Sequence, residues 1–542
     1  MGPTTPARPP QPRVPVQGGA TRHGPALSRW LLVVALLAAA VYLNGIPGAF
    51  VFDDKLIQRD PRINGQESFW TIFVTDYWYK YIGTSADLYR PLTIASYALN
   101  RMVAGLHPPA FHLVNIALHA AASVVVVLLV KALLGGRRLA VVAGLLFALH
   151  PVHTEAVTGI VGRAEVLSAL FLLVALTLQA CDYTLSGRGR SVWMPVGLLA
   201  YFCALLSKET AIVGPGLAAI VDYVVQGRQP TATEGESRQW AMRRTLGRVA
   251  LYAGVALVYL VIRYAIVGRF LQKAPPRSYT LLFGQPLAMR VFTALEILAI
   301  YMRLLFFPAT LSADYSYRQI PLLDAPNGTA LVGLFVAVAL VGSFVWAVRR
   351  RAWPAICGLG FFGISYSIVG NFPVPLQVLV AERLLYLPSV GFCIGIAWLW
   401  VGGVDWAARR GGLWRRVPYA VLAVVLVLYA TRTVVRNFDW RDPETIYAAT
   451  VRASPDCFAA RFNYSAILLS KGKTQEALDQ MLTAYAVRND FYPLLVNLAS
   501  VYVRLGQPEQ ARNIAVQGLR VRPDGREIKA VLAEAERQLG QR

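Results

Sequence analysis

Charged residues are scarce in this chain, at 15% of 542, while hydrophobic residues make up 56%. So little ionic surface cannot cover a soluble protein of this size, which excludes an ordinary globular enzyme and points to an integral membrane protein. Cysteine is scarcer still: there are 5, with Cys181, Cys203, Cys357 and Cys393 inside apolar runs and Cys457 apart. That usage excludes a disulfide framework and a cysteine-based zinc site. No glycine fingerprint follows a strand-like run and no phosphate-binding loop of the NTPase type is present, which disfavours nucleotide-sugar chemistry. Acidic residues are also few, 30 against 53 Lys and Arg, for a formal charge of +23. In a soluble chain that excess would suggest nucleic acid; in a polytopic one it belongs first to cytoplasmic loops, and no nucleic-acid partner is expected.

Residues 1–26 are rich in Pro, Gly and Arg with almost nothing apolar to bury, and read as a disordered cytoplasmic tail. The run from Leu27 to Ile46 is long enough to span and is expected as a retained first helix. Further apolar runs fall near 110–132, 139–157, 165–182, 192–206, 210–226, 249–268, 329–348, 354–370, 384–404 and 417–435. By the roughly 20-residue criterion these make about eleven spans, two of them short. With the amino terminus inside, alternate connections carry Arg137-Arg138, Arg188-Arg190, Arg228 to Arg248, Arg349 to Arg351 and Arg409 to Arg416, a positive-inside pattern. Counting 288–308 as a span would turn Arg349 to Arg351 outward, so an interfacial or re-entrant helix is expected there, with Glu296 and Arg303 on one face.

This topology puts a loop of about residues 48–109 and everything after 435 on the non-cytoplasmic side. The last part is not membrane-like. Asn463, Gly472 and Ala477 recur as Asn497, Gly506 and Ala511, an offset of 34 residues, which is the tetratricopeptide period. The expected organisation is all-α: the tail 1–26, a membrane domain 27–435, and a tetratricopeptide-repeat solenoid 436–542. So few repeats bury little core alone, so they either extend a docking groove for polypeptide beside the membrane domain or act as a stabilising cap.

Ionisable groups at membrane depth are costly, so their positions are the best functional pointers. They gather on the outer side. Asp53 and Asp54 follow three apolar residues just after the first span. Adjacent like charges raise one pKa, which suits a general base; a helix-capping pair is the alternative. His150, His153 and Glu155 lie in ALHPVHTEAV, close to Arg163 and Glu165. Such a set could ligate a divalent metal, although structural or substrate-contacting histidines also fit and no HEXXH is present. Lys208 and Glu209 sit between two apolar halves, where a lysine snorkels or binds phosphate. Glu382 and Arg383 open a span, and Tyr89-Arg90-Pro91 lies in the first outer loop. Cations at headgroup level with a carboxylate nearby suit a transferase with a lipid-phosphate donor: the cations neutralise the leaving phosphate and the carboxylate takes the acceptor's proton. A transporter would instead show polar groups through both halves of the membrane and repeated spans.

In chain order, FVFDDKLIQRDPRI, LYRPLTIASYALN, AFHLVNIALHAAASVVVVLLV, LHPVHTEAVTGIVGRAEVLSALFLLVAL, LLSKETAIVGP, MRLLFFPATLSADYS and VAERLLYLPSVGFC, with tetratricopeptide repeats behind them, resemble the transmembrane and tetratricopeptide-repeat O-mannosyltransferases, the TMTC proteins. The resemblance covers nearly everything after residue 27 and implies a GT-C glycosyltransferase fold. It also implies a polyprenyl-phosphate sugar donor, typically mannose, and inversion at the anomeric centre. The acidic motif falls on Asp53 and Asp54, either of which could be the base. The other signatures fall on His150 to Val157, Gly162 to Ala164, Ser207 to Glu209, and Glu382 with Arg383. On this reading Arg90, Arg163, Lys208 and Arg383 hold the lipid phosphate, Glu382 orients Arg383, and His150, His153, Glu155 and Glu209 line the sugar or acceptor pocket. The repeat array is shorter than in animal members, and the Ala-, Arg- and Gly-rich composition suggests a bacterial inner-membrane protein with an exported polypeptide as acceptor. Sugar transfer to a lipid or glycan, and a non-catalytic scaffold, are the competing readings.

Overall fold

The structure is a computed structural model that describes residues 25–80, 87–185, 192–228, 236–270, 282–372 and 374–541. Residues 1–24 of the expected tail and the cluster Arg188 to Arg190 lie outside the described residues. Every regular element among the described residues is helical. That is what long apolar runs in a bilayer require, since each backbone N–H and C=O must be satisfied without water.

Among the described residues eight helices are long and apolar enough to cross a membrane: Leu27–Gly45, Pro108–Leu134, Ile160–Asp182, Glu209–Arg228, Gln239–Val267, Gly328–Arg350, Pro388–Arg410 and Gly412–Asp439. Arg137–Leu149 and Pro151–Val157 together make a ninth, bent by 50° at the break. Trp193–Ser207 and Trp353–Val369 are apolar but shorter. The apolar runs of the sequence are therefore all helical, yet eight to nine meet the length criterion where about eleven spans were expected. The helix Leu287–Phe306 carries Arg290, Glu296 and Arg303 and is not among the spans.

Local chemistry sets the helix ends. Proline stands in the first turn of Pro108–Leu134 and Pro388–Arg410, where its missing N–H costs nothing. The Asn327 side chain caps Gly328–Arg350 by accepting from the Ala330 N–H at 2.8 Å. The bend at 150–151 has a direct cause: Pro151 cannot donate to the preceding turn, and His150 turns back so that its Nδ1 accepts from the Val152 N–H at 3.2 Å. This break stops the helix on the side where Asp53, Lys208 and Arg383 gather. Trp353–Val369 and Pro388–Arg410 pack backbone to backbone, because a side chain on Gly391 would stand 2.4 Å from the Phe362 nitrogen.

After Asp439 the chain passes almost directly into six helices, Pro443–Ala453, Phe458–Ser470, Thr474–Val487, Tyr492–Arg504, Pro508–Val521 and Arg526–Gly540. Asp442 opens the first of them with a capping box, its Oδ1 accepting from the Glu444 and Thr445 N–H groups, each at 3.0 Å. Ala477, Leu494, Leu498 and Ala511 are fully buried between paired helices, as the repeat pattern demands. The repeats do not hang free. A small core of Val51, Ala313, Trp440, Ile446 and Tyr447 joins the loop after the first span, the segment after Phe306 and the first repeat helix.

Candidate functional site

The loop that follows the first span, about residues 48–109, is braced from inside by Arg62. Its guanidinium, 1% exposed, pairs with Asp60 at 2.6 Å and donates to Thr75 Oγ1, the Asp76 carbonyl and the Tyr77 carbonyl. The motif residues Asp60 and Arg62 therefore shape the loop, and the loop in turn presents Tyr77 beneath Arg90, with the guanidinium carbon 5.1 Å from the ring centre.

The adjacent acids part ways. Asp54 is buried, and its two carboxylate oxygens accept from the Val161 N–H at 2.8 Å and the Val51 N–H at 3.1 Å. It staples the loop to the turn Ile160–Gly162. Burial pushes its carboxyl up to about 7, with those N–H groups opposing the rise. Asp53 is partly exposed, and its carboxylate accepts no hydrogen bond from the described residues. Burial raises Asp53 above the usual carboxylate range, and the charge of Arg383 offsets part of the rise. Asp314, raised chiefly by burial, lies close enough for the Asp53 charge to add to its rise.

Each cation around this carboxylate is paired with an acid. Arg90 forms a fork with Glu209, Nε to Oε2 at 2.8 Å and Nη2 to Oε1 at 2.5 Å. Lys208 pairs with Glu165, and Arg383 pairs with Glu155, whose other oxygen accepts from the Arg383 N–H at 2.8 Å. Burial alone would lower Arg90 and Arg383, but the neighbouring carboxylates outweigh it and raise both, so they stay charged. Exposure separates the three: the Arg383 side chain is 25% exposed and Arg90 13%, while Lys208 is 7% exposed. The two arginines can reach a ligand; the lysine stands behind them.

Several expected site residues are occupied elsewhere. Arg163 is fully buried and donates to Asn115 Oδ1 at 2.7 Å, Asn100 Oδ1 at 2.9 Å, and the Phe111 and Ser96 carbonyls at 3.0 and 3.2 Å. It cross-braces Pro91–Ala104 against Pro108–Leu134, with four of its five N–H donors spent on the protein and the whole side chain out of reach of a lipid phosphate. His150 and His153 are also fully buried, with Nε2 on the Leu305 carbonyl at 3.0 Å and on Ser389 Oγ at 2.8 Å. They hold helices together at the bend and do not line the open site. Glu155 points to Arg383, so the His-x-x-His-x-Glu pattern does not converge. Among the described residues no group of three or more His, Cys, Asp or Glu side chains is placed to hold a metal ion. Glu382 does not touch Arg383: its Oε1 accepts from the Ser312 N–H at 2.5 Å and the Tyr315 hydroxyl at 2.8 Å. The sequence reading missed Tyr77 as a site residue and Glu165 as the partner of Lys208. Glu165 stood in VGRAEV beside the more conspicuous Arg163, and an unmatched lysine at depth was the signal for it.

Family models described as tetratricopeptide repeat match residues 434–493 and 468–535. The human protein O-mannosyl-transferase TMTC3 is 28% identical over 89% of this chain and 53% of its own length. Human TMTC1 is 30% identical over 86% of this chain and 56% of its own. The chain is a homologue of the TMTC proteins. It spans little more than half the length of these two TMTC relatives. Among solved structures, the oligosaccharyltransferase AglB from Archaeoglobus fulgidus, in complex with an inhibitory peptide and a dolichol-phosphate, overlaps 77% of this chain and 56% of its own. Its identity is 14% and its TM-score 0.42.

Proposed function

We propose that this protein is an inverting glycosyltransferase of the GT-C kind that moves a sugar, mannose by its TMTC relatives, from a polyprenyl-phosphate lipid to Ser/Thr hydroxyls of exported polypeptides. The observation that carries the reading is one carboxylate, Asp53, that no described residue supplies with a hydrogen bond, beside Arg383 and, like Arg90, close to Tyr77. Asp53 takes the proton of the acceptor hydroxyl as its oxygen attacks the anomeric carbon. The bond from that carbon to the phosphate oxygen breaks, and the electron pair leaves with the lipid phosphate. Arg383 and Arg90 neutralise the phosphate, exchanging part of their contact with Glu155 and Glu209 for it. No general acid is needed, because a phosphate paired with guanidinium leaves without protonation. Lys208 adds charge from behind.

Asp54 and Arg163 have structural roles in this scheme, and a divalent metal is not required by any step. A transfer to a lipid or glycan acceptor uses the same groups; the repeats favour polypeptide. The test is donor turnover by the full chain in lipid nanodiscs with radiolabelled polyprenyl-phosphate mannose and acceptor peptide. Wild type is expected to label the peptide, and Arg90→Ala to raise donor KM by about tenfold or more, as for loss of a charged hydrogen-bonded contact. Turnover by Arg383→Ala and Arg90→Ala at wild-type KM would remove the phosphate-binding assignment.

A further inference from the structure

The segment after Phe306 touches two distant parts of the molecule. At one end, Ser312 N–H and the Tyr315 hydroxyl both donate to Glu382 Oε1. Glu382 is fully buried and immediately precedes Arg383 in the turn Glu382–Leu385. Its second oxygen has no hydrogen-bond partner among the described residues, and the buried Arg436 lies close enough to stabilise its charge. At the other end the same segment grips the first repeat. Ser454 Oγ donates to Ser312 Oγ at 2.7 Å, the Asp456 N–H to Gln319 Oε1 at 3.0 Å and the Phe458 N–H to the Tyr317 carbonyl at 3.4 Å. The Tyr317 ring packs edge-on against Phe458 and beneath Arg488, 5.4 Å from ring centre to guanidinium carbon. Arg318 sits at φ 73, a left-handed conformation that a non-glycine residue holds only when its surroundings impose it.

We infer that residues 311–320 are a strap that makes the position of Arg383 depend on the first tetratricopeptide repeat, with Glu382 and Tyr315 as positioning residues. The strap is short, buried at both ends and bonded at Ser312 to both partners at once, so the repeat cannot shift without pulling on the turn. A load on the repeats therefore reaches the cation of the reaction centre through hydrogen bonds and not through the bilayer. The catalytic consequence rests on the reading of Arg383 as a donor-phosphate ligand; the mechanical link does not.

The experiment is hydrogen–deuterium exchange by mass spectrometry on the full chain in lipid nanodiscs, with donor kinetics on the same samples. The double variant Ser454→Ala with Gln319→Ala cuts the strap at the repeat, and Tyr315→Phe cuts it at Glu382. Tyr485→Phe, which removes a contact to Gln517 inside the repeats, is the control. Both cuts are expected to speed exchange at the Leu384 and Tyr386 amides, which close the turn, by about 2- to 10-fold, the range for one net hydrogen bond. The control leaves them unchanged. In an active preparation donor KM rises with the exchange. Faster exchange confined to 311–320, or none in either cut, overturns the strap. Coupled exchange with an unmoved KM overturns the positioning role. Coupled exchange in a wild type that turns over no donor still establishes the link, and refutes instead the assignment of Arg383 to the donor.

Discussion

Replacing Asp53 and Asp54 separately by Asn should split one acidic motif into a chemical and a structural half. Asp54 uses both oxygens on backbone N–H groups, at 2.8 and 3.1 Å, in a buried site. An Asn there has one oxygen, so either Val161 or Val51 loses its acceptor and faces an NH₂ group. An orphaned buried donor costs about 1–3 kcal/mol. Asp53 has no such bond to lose among the described residues, so Asp53→Asn should leave the melting temperature within experimental scatter while removing the proton acceptor, a loss of about 10²- to 10⁴-fold in kcat. The assay is thermal unfolding beside donor turnover with acceptor peptide, both in nanodiscs. A stable Asp54→Asn without turnover, alongside an Asp53→Asn of wild-type activity, would refute the reasoning and make Asp54 the base.

Arg163→Met should destabilise the membrane domain by about 3–5 kcal/mol, because it removes the brace between two helices and strands the buried Asn115 and Asn100 side-chain oxygens. Its thermal unfolding would show the loss, with donor KM unchanged in whatever fraction stays folded. Stability should also depend on pH through Glu382, which burial pushes from 4.5 to about 7. Between those values the folded chain holds a proton that the unfolded chain releases, so stability falls as pH rises across that window. Glu382→Gln should flatten that slope in unfolding curves taken from pH 4.5 to 7. Turnover runs the other way: Asp53 must be ionised, so kcat/KM should climb with pH along an acid limb that lies above the ordinary carboxylate range.

The apolar runs, the repeat period and the charges that interrupt or flank those runs are properties of the chain order, and each was legible in the sequence. A run of apolar residues has one stable form in a bilayer, and a 34-residue period has one way to bury its small residues. The short runs 192–206 and 354–370 show the limit of that reading, since periodicity does not say whether 15 or 17 residues cross a membrane or stop within it. Residue type alone also could not say what a buried charge is for. Arg163 and Arg383 look alike in sequence, as do Asp53 and Asp54. The partners that separate them come from segments far along the chain: Asn115, Asn100, Phe111 and Ser96 take four of the five donors of Arg163, while Val161 claims Asp54 and none of the described residues donates to Asp53. A hydrogen-bonding group spent on the protein cannot serve a ligand, and which groups are spent is decided by contacts that only the folded chain makes.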